Sequence, residues 1–193
     1  MSTLDEEDRR EYYRIEDTIA LEIRLLSAAE ATGQEVLQDA SPLFNLLSEL
    51  HLSEFESQHL LRQLSDRDRT TAAFLKSQNK RIDLLSQVVA LTVLGQIGEP
   101  QPVIISEGGI DFQHPTPIAI GTRLSVKLVL MPQALGLLLR ARVTHCDRKG
   151  DGYDVGTEFE HLTDAQRQLL ARHILQKQAQ IRRLAREKLE SGN

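Results

Sequence analysis

The sequence predicts an α+β protein, an antiparallel β-barrel or sandwich with a long helical insertion and a C-terminal helix. Three observations predict it. Short apolar runs alternate every second residue near the start of the chain and again after Pro100. Between them lies a three–four apolar spacing from about Ser53 that meets no Gly or Pro until Gly95. A second helical pattern with its own start signal closes the chain. By segment, residues 1–30 hold a leader and the first strand, 31–98 the helical insertion, 99–162 the remaining strands and 163–193 the C-terminal helix.

The first strand is "DTIALEIRLL", where Ile19, Leu21, Ile23 and Leu25 share one side against Ala20, Glu22 and Arg24. "SAAEATGQEVLQDA" reads as a polar connection or a weakly helical approach. Ser41 before Pro42 suits an N-cap and first helical position. Ser53 and Glu56 have the spacing of a capping box, and a single helix is expected from there. Leu61, Leu64, Asp68, Thr71, Leu75, Gln78, Ile82, Leu85, Val89 and Thr92 form a heptad stripe along it. Such a helix would run about 60 Å, too long for one compact domain to cover. A second copy of the chain is the simplest cover, with Leu61, Leu64, Leu75, Ile82, Leu85 and Val89 as the oligomer interface. The alternative is an intrachain hairpin with a shorter helix around Leu43 to Leu50.

Strand patterning resumes with "PVII", "TRLSVKLVLM", "LGLLLRARVTH" and "YDVGTEF", the last two separated by the turn "DRKGDG". Thr163 and Gln166 make another capping-box spacing, with Leu162 as staple. Leu169, Leu170, His173, Ile174, Ile181 and Leu184 then lie on one helical face, and "RRLAREKLE" is a charged, solvated tail.

Composition bounds the function. The chain has 193 residues, 40% hydrophobic and 26% charged, enough apolar content for a core. Aromatic residues are 4% with no Trp, so aliphatic side chains carry the packing. A net charge of −5 argues against a DNA or RNA partner, whose phosphates call for a basic surplus. A small anionic ligand stays open. One cysteine, Cys146, excludes an intramolecular disulfide framework. "MSTLDEEDRR" has no apolar segment of the secretory kind, and Pro132 interrupts the apolar stretch "LVLMPQALGLLL" below membrane-spanning length. The expectation is a cytosolic protein without a membrane role.

Enzyme chemistry is not expected. His145 and Cys146 are adjacent, so on a strand they project to opposite faces and cannot act as a nucleophile–base pair. His51, His59, His114, His161 and His173 are scattered and read as structural or surface groups. No phosphate-binding P-loop, serine-hydrolase elbow or zinc-protease helix is present, and no metal or cofactor is expected.

One stretch carries a functional question. "IISEGGIDF" sets Ser106, Gly108 and Gly109 between short apolar runs. A turn between strands accounts for them, and so does a loop that cradles a phosphorylated ligand, because glycine permits close backbone approach. Ahead of the first strand, "RREYYRI" supplies Arg9, Arg10 and Arg14, whose planar guanidinium groups can grip phosphate and stack on a base.

Together these segments resemble the PilZ family of bacterial cyclic di-GMP receptors. The resemblance rests on the R-x-x-x-R stretch Arg10 to Arg14, on "IISEGG" as a partial match to the family's D/N-x-S-x-x-G loop, and on "DVGTEF" with Val155, Gly156 and Phe159. It covers residues 9–30 and 100–162. The resemblance implies an antiparallel PilZ-like β-barrel with a long inserted coiled-coil helix and a C-terminal helix. It also implies cyclic di-GMP held by Arg9, Arg10, Arg14, Ser106, Gly108 and Gly109. The family's Asp or Asn position falls on Ile104, which removes a base-edge hydrogen bond. The helical insertion looks like the tetrameric PilZ variants, which favours a homo-tetramer signalling to a protein partner. With Ile104 in place, a ligand-silent oligomeric scaffold is the competing expectation.

Overall fold

The computed structural model describes residues 13–32, 37–97 and 99–191. Six antiparallel strands close into a barrel in the order β1 (Ile15–Leu25), β2 (Gln101–Ile105), β3 (Ile110–His114), β6 (Gly152–Glu160), β5 (Leu135–Lys149) and β4 (Arg123–Leu130). β1 bridges two neighbours because it is long: Ile15 pairs with Ile105 of β2, while Leu25 pairs with Leu124 of β4. Period-two alternation sends Ile15, Ile19, Val126, Leu128, Leu137 and Leu139 into one buried interior cluster. β3 follows the Ser–Gly turn and inserts only Ile110 and Phe112.

β4 is buried on both faces because the helical insertion covers its outer side. Phe44, Leu47, Ala90, Val93 and Ile97 form a second cluster against Ala20, Val129 and Ala134 on the barrel wall. Lys127, outward on β4, lies beneath these helices. It pairs with Asp39 at 2.9 Å and Glu22 at 3.3 Å and stands 5.0 Å over the Phe44 ring, so its buried charge is compensated.

The insertion corrects the expectation of a single long helix. After a short helix α1 (Ala28–Ala31), started by the Ser27–Glu30 capping box, two helices follow: α2 (Pro42–Arg67) and α3 (Arg69–Ile97). α2 starts at the Ser41 cap, and Ser53–Glu56 lies inside it rather than at a helix start. Asp68 ends one helix and starts the next. Its backbone is extended, its N–H donates to Leu64 O at 2.8 Å, and its carboxylate accepts from the N–H groups of Thr70 and Thr71, each at 3.0 Å. The chain folds back there, so α2 and α3 make an intrachain hairpin, but its first arm is the whole of Pro42–Arg67 rather than a shorter helix around Leu43 to Leu50. A cavity of about 130 Å³ lies between α2 and α3, lined by Leu50, His51, Glu54, Ile82, Asp83 and Ser86.

The last helix, α4 (Asp164–Ser191), begins at the expected box: Gln166 N–H donates to Thr163 Oγ1 at 3.2 Å, and Thr163 N–H donates to Gln166 Oε1 at 3.0 Å. Leu169, Leu170 and Ile174 join the barrel cluster, while Ile181 and Leu184 are exposed.

Candidate functional site on the outer wall of β1, β2 and β3

The β1–β2 register sets the site. Because Ile15 pairs with Ile105, Arg14 just before β1 and Ser106 just after β2 lie at the same end of that pair. The first two predicted arginines, Arg9 and Arg10, lie outside the described residues. Arg14 is half-exposed and its guanidinium reaches Asp111 Oδ2 of β3 at 3.4 Å.

"IISEGGIDF" is a turn between two strands. Ser106 N–H donates to Gly109 O at 2.9 Å, Gly108 N–H donates to Ser106 Oγ at 3.2 Å, and Phe159 N–H of β6 donates to Gly108 O at 2.8 Å. Gly109 is dictated by packing: a Cβ there would overlap the carbonyl oxygen of Thr157 on β6. The turn is thus stitched to the barrel, with Ser106 itself buried.

Alternation carries Glu16, Ile104, Asp111 and Gly156 outward as one row across four strands, since Glu16 pairs with Ile104, Ile104 with Asp111, and Asp111 with Gly156. A bulge between Val143 and His145 brings the His145 ring over Gly156, in the space that a side chain at 156 would need. This is the physical reason for glycine in "DVGTEF". Ile104 is 40% exposed in the middle of the row.

Beyond the row the wall and the second half of α4 enclose a cleft of about 680 Å³, bordered by Glu16, Ile104, Asp111, Asp154, Lys177 and Ile181. α4 is held over it by a buried polar cluster. Asp17 of β1 accepts from His173 Nε2–H at 2.8 Å and from the Lys177 ammonium at 2.5 Å. Burial pushes the Asp17 carboxyl up, but the hydrogen bonds from His173, Lys177 and the Thr18 N–H outweigh it and leave the pKa below its ordinary value.

The structure therefore brings Arg14, Ser106, Gly108 and Gly109 to one end of the barrel beside Ile104. Asp111, His145 and the Asp17–His173–Lys177 cluster are the residues that sequence reasoning missed. The alternation of "IDF", with Asp111 between two buried apolar residues, is the signal that points the carboxylate outward.

The residues expected at an oligomer interface are divided. Leu61, Leu64 and Val89 are half-buried, whereas Leu75, Ile82 and Leu85 are exposed. Leu84, Val88 and Leu91 are exposed as well, on the side of α3 away from Ala90 and Val93. Among the described residues no helix is long and apolar enough to cross a membrane, and no group of three or more His, Cys, Asp or Glu is placed to hold a metal ion.

The model of the PilZ domain family matches residues 75–176, from within α3 to within α4, so β1 and Arg14 lie outside the match. Among solved structures the chain is similar to a Xanthomonas campestris protein described as a tetrameric PilZ domain self-assembled via a helical bundle. The two share 18% identity and a TM-score of 0.53 over 93% of this chain and 92% of that one. The inhibitor of motility of Bacillus subtilis (MotI/DgrA) aligns over 42% of each chain, with 18% identity and a TM-score of 0.36. No curated protein matches. With more than half of its length matched by the family model, and with a closed six-stranded antiparallel barrel, the chain belongs to the PilZ domain family.

Proposed function

We propose that the chain is a cytosolic receptor for cyclic di-GMP, bound on the outer wall of β1, β2 and β3, and that it assembles with copies of itself through the helical hairpin. The observation that carries the ligand reading is the Ile15–Ile105 register, which sets Arg14 beside the Ser–Gly turn; a cleft of about 680 Å³ begins at Ile104 and Asp111, on the side away from that turn's own residues. That volume lies in the range of small-molecule sites. Cyclic di-GMP offers two phosphates and two guanines, and a guanidinium can grip the first and stack on the second. Arg14 is engaged by Asp111 in an exposed ion pair, which contributes little to stability and is readily exchanged for a phosphate. Arg9 and Arg10 supply further cations from the leader. A ligand held on this wall would present a changed surface to a protein partner.

The hairpin supports assembly. From Leu84 to Ile97 no residue of α3 is charged, and Leu84, Leu85, Val88 and Leu91 stand exposed there. A contiguous apolar face of this kind marks an interaction surface, and a symmetry-related copy of the same helix can cover it without burying an ion. The Xanthomonas protein is described as tetrameric and assembled via a helical bundle, so a tetramer is the favoured state here.

Calorimetric titration with cyclic di-GMP tests the receptor reading. Arg14→Ala weakens binding and Arg182→Ala, in the distal half of α4, does not; absence of heat at high-micromolar ligand overturns it. A second reading is favoured by Ile104, an exposed aliphatic side chain flanked by Glu16 and Asp111 where a ligand-binding polar group is expected. On that reading the barrel binds no dinucleotide and the protein is an oligomeric scaffold. A ligand-silent chain that sediments as a stable tetramer selects it.

A further inference from the structure

We propose that Asp111 reads the guanine base of cyclic di-GMP, supplying from β3 the acceptor that Ile104 on β2 lacks; the inference rests on the receptor reading above. Ile104 and Asp111 are direct cross-strand partners and both point outward, so a carboxylate at 111 opens over the same patch of wall as a side chain at 104. Asp111 also borders the cleft.

The Watson–Crick edge of guanine presents two adjacent donors, N1–H and N2–H, next to the acceptor O6. An ionised carboxylate accepts from both donors at once, and an arginine beside it donates to O6. Arg14 and Asp111 stand in that relation, with Nη1 3.4 Å from Oδ2. Their ion pair is the resting arrangement, and a guanine edge satisfies both members when it replaces the contact. Ile104 offers the base an aliphatic surface between Asp111 and Glu16, and the His145 ring over Gly156 borders the opposite side of Asp111. Of the acids that border the cleft, Glu16 flanks Ile104 on the β1 side, whereas Asp111 is the one whose carboxylate stands beside the Arg14 guanidinium. Asp17 is buried beneath α4 with His173 and Lys177, and Asp154 pairs with Lys149. Adenine presents an acceptor at N1, which faces the carboxylate lone pairs, so the same residue excludes the adenine analogue.

The test is calorimetric titration of the full chain with cyclic di-GMP and cyclic di-AMP, for the natural protein and for Asp111→Ala, Asp111→Asn and Asp111→Ala combined with Ile104→Asp. The natural protein is expected to bind the guanine ligand at least tenfold more tightly than the adenine one. Asp111→Ala is expected to lose about tenfold or more of its affinity for cyclic di-GMP, and Ile104→Asp to restore it from the neighbouring strand. Asp111→Asn, which keeps the side-chain shape and one acceptor oxygen but not the charge or the second acceptor, serves if the alanine variant fails to fold and is expected to lose several-fold of the affinity for cyclic di-GMP. Binding by the natural protein with Asp111→Ala and Asp111→Asn unchanged within twofold overturns this assignment and leaves the receptor reading standing. Binding of neither ligand by the natural protein overturns both.

Discussion

His173 Nε2–H donates a 2.8 Å hydrogen bond to Asp17 Oδ2, tying α4 to β1 across 156 positions of sequence, and both side chains are only 3% exposed. With Lys177 on the other carboxylate oxygen, this cluster holds the helix that roofs the cleft.

Removing one member of a buried ion cluster leaves the others uncompensated, so Asp17→Asn should cost about 3 kcal/mol in urea unfolding at neutral pH. The Asp17 pKa is depressed below 3.8 in the fold. Its stabilising contribution is therefore present above that ordinary value and is lost as pH falls through the folded one. The gap between the natural protein and the variant should close below about pH 4.

Asp83 has the opposite sign. Burial in the hairpin cavity, then the nearby Glu54 carboxylate, push its pKa above 3.8. The ionised form is disfavoured in the fold, so its cost is absent below the ordinary value and grows as pH rises through the folded one. Asp83→Asn should raise the melting temperature at pH 7 by about 1–2 °C, with the gain disappearing in acid.

Gly109→Ala should destabilise the barrel by about 1–3 kcal/mol, because the added carbon meets the Thr157 backbone carbonyl rather than a movable side chain. At Gly156 the obstacle is the His145 ring. Gly156→Ala should be milder, and adding His145→Ala should recover the melting temperature.

Leu85→Asp and Val88→Asp should shift the protein to smaller species in sedimentation velocity while leaving its thermal transition in place. Both residues are more than 60% exposed in the single chain, so their aspartates meet solvent once copies separate. Val93→Asp, at a position with no exposure, should unfold the hairpin instead. Loss of the folded state in Leu85→Asp would contradict the interface assignment.

Much of the fold is legible from local chemistry. The Ser41–Pro42 and Thr163–Gln166 start signals and the alternation of Leu124, Val126, Leu128 and Leu130 report directly on caps and pleat. The break at Asp68 is not, because the apolar spacing runs through it without Gly or Pro, although α3 buries Ala72, Ala90, Val93 and Ile97 rather than the predicted stripe. The sign that was present is Asp68 followed by Thr70 and Thr71, whose N–H groups it caps. β3 escapes notice because five residues with two buried side chains give too short an alternation.

The site was legible only in part for a similar reason. Order along the chain suggests that the arginine leader and the Ser–Gly turn belong together, but their adjacency is a property of the Ile15–Ile105 register. The pairing of Asp111 with Arg14, 97 positions away, and of Asp17 with His173 depends on barrel closure and on where α4 lands. Neither distance is encoded in any local pattern.

The most direct measurement is the δ1-methyl resonance of Ile104, followed in an isoleucine-labelled sample as cyclic di-GMP is added. That methyl stands exposed between Glu16 and Asp111 in the middle of the proposed binding wall. The account predicts a saturable shift of this resonance, while Ile82 in the hairpin stays in place. A spectrum in which Ile104 does not move, or moves only when the hairpin does, contradicts it.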